Sequence, residues 1–296
     1  MLTLNDPAWS RLTTAYGDGE EAVQLLRRLV TAAEDAELRQ ELFELLLHQD
    51  TIYTATLAAM PYLAAMAERT EDTETLVDLY IACGWMESGR EHGADRLDIA
   101  SSGEFRRERQ PKLPDETIAS IAEGYRIGLE RLSHLYEQAA GFDLKGNKQS
   151  GDAASIASGE PEDNENPEAV YLLAAQAAYA GEIEVARLLL NFPEGDEYSG
   201  ACPSCQADWY VWPKEGDAEV LVVYMDDPVT AQKENRDSAV VQAISATSLR
   251  AELQKLAHEA GRLGAHRLAV TIPSLDGQAT CPECGSEVSV WAALVG

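Results

Sequence analysis

The sequence predicts a mainly α protein: a solenoid-like body of helix pairs, followed by a small C-terminal β element that an inserted helix splits in two. Two observations carry this. Residues 5–140 read as amphipathic helices of ordinary length joined by short turns. Near the C-terminus two short stretches match each other, each a Cys-Pro-x-Cys turn leading into an alternating, strand-like run.

The helices can be justified in order. Asn5-Asp6-Pro7 reads as a cap followed by proline at the first helical position. After Asp18-Gly19, residues Ala22, Val23, Leu25, Leu26, Leu29 and Val30 share one broad face. A second helix carries Leu38, Leu42, Phe43, Leu45 and Leu46, and a third runs over 54–69 with Leu57, Met60, Leu63 and Met66. Pro61 falls inside the third and should kink it, because it lacks the N–H that bonds one turn back. A fourth is expected over 74–86, then a long loop over 84–114. Asp115 is expected to cap a single helix reaching residue 140.

Residues 141–168 are rich in Gly, Ser, Asp, Glu and Asn and read as a flexible acidic insert. A helix pair is expected over 167–180 and 182–192, turning at Gly181. The clearest strand is 218–225, with Val220, Leu221, Val222 and Val223. Residues 226–237 read as a polar loop, 245–264 as helix, and 266–275 as either strand or short helix. The expected organisation is a helical-repeat body over 1–140, the insert over 141–168, a helix pair continuing the body over 169–197, and a split β element over 198–296.

The chemistry sits in that last segment. Cys202-Pro203-Ser204-Cys205 and Cys281-Pro282-Glu283-Cys284 agree beyond the cysteines: an acid six positions after the first Cys, an apolar residue at seven, then Val and Trp at nine and ten. Two residues between cysteines let a tight turn aim both sulfurs at one point, and two such turns complete a tetrahedron with no open position. The intervening 75 residues far exceed the roughly 15–20 usual for this pattern, so the halves must be joined through a folded insertion. Cys202, Cys205, Cys281 and Cys284 are therefore the expected ligands of one structural Zn²⁺ per chain, held in a split zinc ribbon spanning 207–212 and 287–291. Redox use of the pairs, or reduced thiols without metal, are the alternatives. A closed four-sulfur site leaves no place for a catalytic water, so no catalytic residue is assigned to it. The fifth cysteine, Cys83, reads as a small core residue.

Composition narrows the function classes. The net charge of −28 disfavours nucleic acid and anionic membranes as partners. Acid is concentrated in residues 1–198, which hold 16 basic and 38 acidic side chains, against 7 and 13 in residues 199–296. A field of that sign serves solubility and would also steer a basic protein partner. No apolar run is long enough to span a membrane, and Met1-Leu2-Thr3-Leu4-Asn5 does not read as a secretory signal, so a cytoplasmic location is expected. Two loops could carry an enzyme site instead: His48 to Tyr53, or Glu87 to Asp95 with Glu91 and His92. The plainer reading of the first is that Asp50 or Thr51 caps the next helix while His48 and Tyr53 pack across the joint.

The stretch from Leu45 to Leu63, LLLHQDTIYTATLAAMPYL, resembles a segment that recurs in bacterial HEAT-like helical-repeat proteins, many of them predicted immunity proteins of polymorphic toxin systems. The matched residues are His48-Gln49, Thr51, Tyr53, Ala55, Ala58-Ala59, Pro61 and Leu63, with Asp50 standing where glycine is usual. The likeness extends over residues 1–90, with a weaker one at Gly277 to Gly285. It implies degenerate HEAT-type helix pairs, a helix-pair junction rather than an active site at 48–53, and a non-enzymatic protein that binds another protein.

Overall fold

The computed structural model describes residues 1–90, 113–146, 166–195, 197–234 and 237–296. It is mainly helical, with small antiparallel sheets. Two compact units divide the chain: residues 1–145 with 174–186, and residues 146–173 with 187–296.

In the first unit, Asp6 accepts a hydrogen bond from the Ala8 amide and starts a 3₁₀ turn, Pro7–Arg11. Helices α1 (Glu20–Leu29) and α2 (Ala36–Leu46) follow, then a two-residue hairpin, β1 (Leu47–His48) and β2 (Thr51–Ile52). Next come α3 (Thr54–Arg69), α4 (Thr73–Ser88), α5 (Asp115–Ser133) and α6 (Tyr136–Gly146). The pairs α1–α2 and α3–α4 each pack together; α1 also meets α3, α2 meets α4, and α5 lies on α3. Helix α3 is central because its sequence is apolar all round: twelve of its residues are buried, including Ala55, Ala58, Ala59 and Ala64, whose small side chains admit close neighbours. Gly128 of α5 faces Pro61 so closely that an added Cβ would sit 3.2 Å from it. Arg39, buried on α2, ties that helix to α4 through Asp78 at 2.6 Å.

Several expectations are corrected here. The expected loop over 84–114 begins later, since α4 runs through Gly84 to Ser88; its remainder, 91–112, lies outside the described residues. Gly84 lies inside α4 and meets Ala175 of α7 (Pro167–Tyr179), where an added Cβ would fall 2.3 Å from the alanine Cβ, so the close approach needs glycine there. The single helix expected from Asp115 is two, broken at His134-Leu135, and Pro114 rather than Asp115 takes the cap position. The expected insert starts inside α6, which runs on to Gly146; residues 147–165 lie outside the described residues.

Helix α8 (Ile183–Asn191) follows a turn at Gly181, whose φ of +81° suits glycine. The boundary between the units falls within α7 and α8. The second unit holds an antiparallel sheet in the order β3 (Tyr198–Ala201), β4 (Asp208–Lys214), β5 (Asp217–Tyr224), β6 (Ser238–Val240). A short helix, α9 (Pro228–Glu234), replaces the polar loop expected there, and an Asp227 cap 2.8 Å from the Thr230 amide starts it. Helices α10 (Ala251–Leu263) and α11 (His266–Leu275) pack on each other, and α11 also packs on β5. The chain ends with hairpin β7 (Gln278–Thr280) and β8 (Glu287–Ser289) and helix α12 (Val290–Val295).

Alternation in β4 and β5 turns Trp209, Val211, Leu221 and Val223, all fully buried, toward one face. Tyr210, Trp212, Val220, Val222 and Tyr224 form the other, where Ala231 of α9 covers part of it. Two backbone bonds between Gln242 and Gln278 (2.7 and 3.1 Å) join the β7–β8 hairpin to the chain leaving β6. Helix α12 then packs on β3 at the far end of the sheet. Arg250 anchors α12 by stacking 4.4 Å from the Trp291 ring centre while bonding Asp276 at 2.7 Å.

Gly84→Ala should lower stability by about 1–3 kcal/mol through overpacking. Gly141→Ala, at a helical site with nothing within 4 Å of an added Cβ, should raise it by up to about 1 kcal/mol. Thermal melts of both variants check the pair.

Candidate metal centre

The two Cys-Pro-x-Cys turns are the loops of two hairpins with the same construction. Ala201 pairs with Asp208 across β3–β4, and Thr280 pairs with Glu287 across β7–β8, leaving six-residue loops 202–207 and 281–286. In the first, the Cys202 amide donates to the Ala207 carbonyl (2.8 Å) and the Gln206 amide to the Cys202 carbonyl (2.8 Å). In the second, the Cys281 amide donates to the Ser286 carbonyl (2.8 Å) and the Gly285 amide to the Cys281 carbonyl (2.9 Å). The residue after the second cysteine is left-handed in both: Gln206 at φ 63° and Gly285 at φ 71°. Glycine takes that conformation without strain, whereas Gln206 holds it against its own Cβ.

These loops bring Cys202, Cys205, Cys281 and Cys284 together, with all four sulfurs within 4.8 Å of one another. Cys202 and Cys284 are 4.0 Å apart, and Cys205 and Cys281 3.8 Å. None is in a disulfide. Bonds of about 2.3 Å from one tetrahedral ion would set sulfurs about 3.8 Å apart, so the spacing fits a single ion. Cys202 and Cys281 are buried, while Cys205 and Cys284 lie at the surface.

Donors already point at the sulfurs. The side chain and backbone of Ser286 hold the Cys284 thiol down at about 6. The Ala207 amide pulls Cys205 down, yet desolvation and then the bonds from Cys284, Cys202 and Cys281 push it up to about 12. Burial raises Cys281, but the amides of Cys284 and Glu283 and the Trp209 side chain outweigh it and leave the thiol lowered. Trp209, next to Asp208 at the base of the first loop, is fully buried, and its indole Nε1 has no hydrogen-bond partner among the described residues. The donor set and the spacing fit a cation held by four thiolates.

The matching sequence patterns part company at the end. Trp212 continues strand β4, but Trp291 lies in helix α12 rather than in the expected strand. Ser289 causes the change: its hydroxyl accepts from the Ala292 amide at 3.3 Å and caps a helix where the first half has Tyr210.

The other candidate residues are placed elsewhere. His48, Gln49, Asp50 and Thr51 form the β1–β2 hairpin, with Gln49 and Asp50 both left-handed as a two-residue turn requires. Asp50 caps no helix; its carboxylate accepts from the Trp85 indole at 2.9 Å. The Tyr53 amide is bonded instead to the Thr56 hydroxyl (3.0 Å) at the start of α3. His48 meets Tyr16, edge to face and through Nδ1 at 3.3 Å. Glu87 sits on α4, buried, bonded to Arg90 at 2.6 Å and to the Tyr125 hydroxyl. That bond holds the Arg90 guanidinium above its usual range. Glu91, His92 and Asp95 lie outside the described residues. Cys83 is buried on the same helix, where desolvation pushes its thiol up. The Glu87–Tyr125 pairing was not legible in the sequence, because 38 residues separate the partners and each belongs to an ordinary helical pattern.

No protein-family model, curated protein or solved structure matches this chain. The candidate centre therefore rests on its own geometry: four cysteines from two like hairpins lie close enough to hold a metal ion.

Gln206→Gly should stabilise the second unit and Gly285→Gln should destabilise it, each by about 1–2 kcal/mol, since one removes and the other creates a left-handed non-glycine residue. Chemical denaturation of metal-loaded protein followed by Trp fluorescence checks both signs.

Proposed function

We propose that the chain is a non-catalytic protein-binding scaffold: a helical body of HEAT-like pairs that engages a basic protein partner, with a C-terminal ribbon clasped by one structural Zn²⁺. The observation that carries the clasp is the convergence of four sulfurs from hairpins 75 residues apart. Among ions suited to four thiolates, zinc needs no redox partner and takes the tetrahedron without a preference of its own. Four protein ligands fill the coordination shell, which favours a structural role over hydrolysis.

The body's role rests on packing order and charge. Two adjacent pairs, with α1 on α3 and α2 on α4, are the contacts that stacked helix pairs make, which supports the solenoid reading. On α2, Glu37, Glu41 and Glu44 lie exposed at helical spacing along one side. Like charges at that spacing weaken a helix. None of the three joins an ion pair among the described residues, so a partner's Lys or Arg would relieve the repulsion. Electrostatic attraction of this kind acts chiefly on the association rate. The cytoplasm suits both the reduced thiols and such a partner. Among the described residues, no helix is long and apolar enough to cross a membrane. An immunity protein that neutralises a basic toxin domain is the specific form of this reading that the resemblance of residues 45–63 suggests.

Elemental analysis should give about one zinc per chain, and Cys281→Ser should lose it and loosen the second unit. Iron in that place, or metal-free protein with an unchanged melt, would contradict the zinc assignment. For the partner, capture at low salt from the native host should retain a basic protein. A variant with Glu37, Glu41 and Glu44 all changed to Lys should lose it. Capture of acidic proteins alone would contradict the reading.

A further inference from the structure

We propose that the four-cysteine centre is a redox-exchangeable clasp: hydrogen peroxide converts it from metal-bound thiolates to two disulfides that cross between the hairpins, Cys205–Cys281 and Cys202–Cys284. This rests on reading the four cysteines as a metal site.

Burial and distance carry it together. Each hairpin supplies one buried cysteine, Cys202 or Cys281, and one exposed cysteine, Cys205 or Cys284. The exposed sulfur of each hairpin stands beside the buried sulfur of the other. Cys205 is 3.8 Å from Cys281, and Cys284 is 4.0 Å from Cys202. Peroxide in solution therefore reaches one sulfur of each hairpin, and a second sulfur waits next to it. Solvent access and a neighbouring resolving thiol are the two features that reversible cysteine oxidation needs. Cys83, buried on α4, has no access of this kind.

The exposed thiolate attacks one peroxide oxygen, and the O–O bond breaks. The departing hydroxide takes a proton and leaves as water, while the sulfur becomes a sulfenic acid. The facing thiolate then attacks that sulfur. An S–S bond forms, and the second oxygen leaves as hydroxide and is protonated to water. Each disulfide thus gives two electrons to one peroxide, takes up two protons and releases two waters. Two disulfides remove all four thiolate ligands, so the cation departs. The hairpins stay joined, because each new bond links the same two loops that the cation linked. A bond spanning the 75 intervening residues also constrains the unfolded chain far more than one inside a Cys-Pro-x-Cys turn. Pairing within a turn would have the opposite effect and untie the hairpins.

The test uses the unaltered chain loaded with zinc and treated with hydrogen peroxide. A chromophoric chelator should detect about one zinc released per chain. Non-reducing digestion should then give the two cysteine peptides covalently joined. In partly oxidised samples, alkylation of the remaining thiols and tandem mass spectrometry should place the bonds at Cys205–Cys281 and Cys202–Cys284. Dithiothreitol with added zinc should restore the metal-bound form. Disulfides within Cys202–Cys205 or Cys281–Cys284, any other pairing, or oxidation to sulfinic acid without disulfides would overturn the proposal. So would zinc that stays bound, with thiols intact, while peroxide oxidises a control thiol peptide. Unaltered reduced protein that takes up no zinc would instead remove the metal reading, and the exchange with it.

Discussion

In the second unit four sulfurs meet at one point, from two hairpins far apart in the chain. Its antiparallel sheet runs from β3 to β6, the Gln242–Gln278 bridge adds the last hairpin, and α12 returns to β3. The sheet's two ends are brought back together, and the cysteine loops are where hairpin meets hairpin. Gly200 shows how tight that closure is, since an added Cβ on β3 would lie 2.1 Å from the Ala293 carbonyl oxygen of α12. Small hairpins are marginal alone. A cation shared between two of them turns local turns into a long-range link, and its binding energy becomes folding energy.

The first unit is held differently. Its core is the near-continuous apolar surface of α3, and its polar exceptions are paired. Glu87 is enclosed with Arg90 and Tyr125, and Arg39 with Asp78 and the Ala33 carbonyl. Such pairs add little net stability, but breaking one would strand a buried charge. Tyr80 stands apart, since its hydroxyl is buried without a partner among the described residues, although its backbone carbonyl accepts from Tyr179 at 2.6 Å. While Glu87 on α4 is buried, the acids of α2 face outward, with Glu37, Glu41 and Glu44 exposed along one side. Two chemistries therefore divide the chain: apolar packing with an acidic exterior in one unit, and sulfur-directed closure in the other.

Much of this was readable from residues alone, and the reasons are local. Helix α3 was legible over 54–69 because its apolar run is long and bounded by Tyr53-Thr54 and Thr70. The cysteine loops were legible because their spacing encodes the turn. What escaped the reading was set by packing or by short-range caps overlooked within polar segments. The break at His134-Leu135 carries no glycine or proline to announce it. Helix α9 did have a signal, Asp227 before Pro228, but its seven residues are too few for periodicity to show. Helix α11 forms despite Pro273, whose carbonyl accepts from the Ile244 amide (3.1 Å). Trp209 read only as an apolar residue at a matched position. That its N–H is buried without a partner among the described residues is a fact that no single-sequence pattern contains.

The central claim is that these four thiolates share one ion. X-ray absorption at the metal edge of purified protein tests it most directly. The account predicts a zinc edge with four sulfur neighbours at about 2.3 Å and no light-atom ligand in the first shell. A shell containing nitrogen or oxygen, fewer than four sulfurs, or no bound metal in protein with intact reduced cysteines would contradict it.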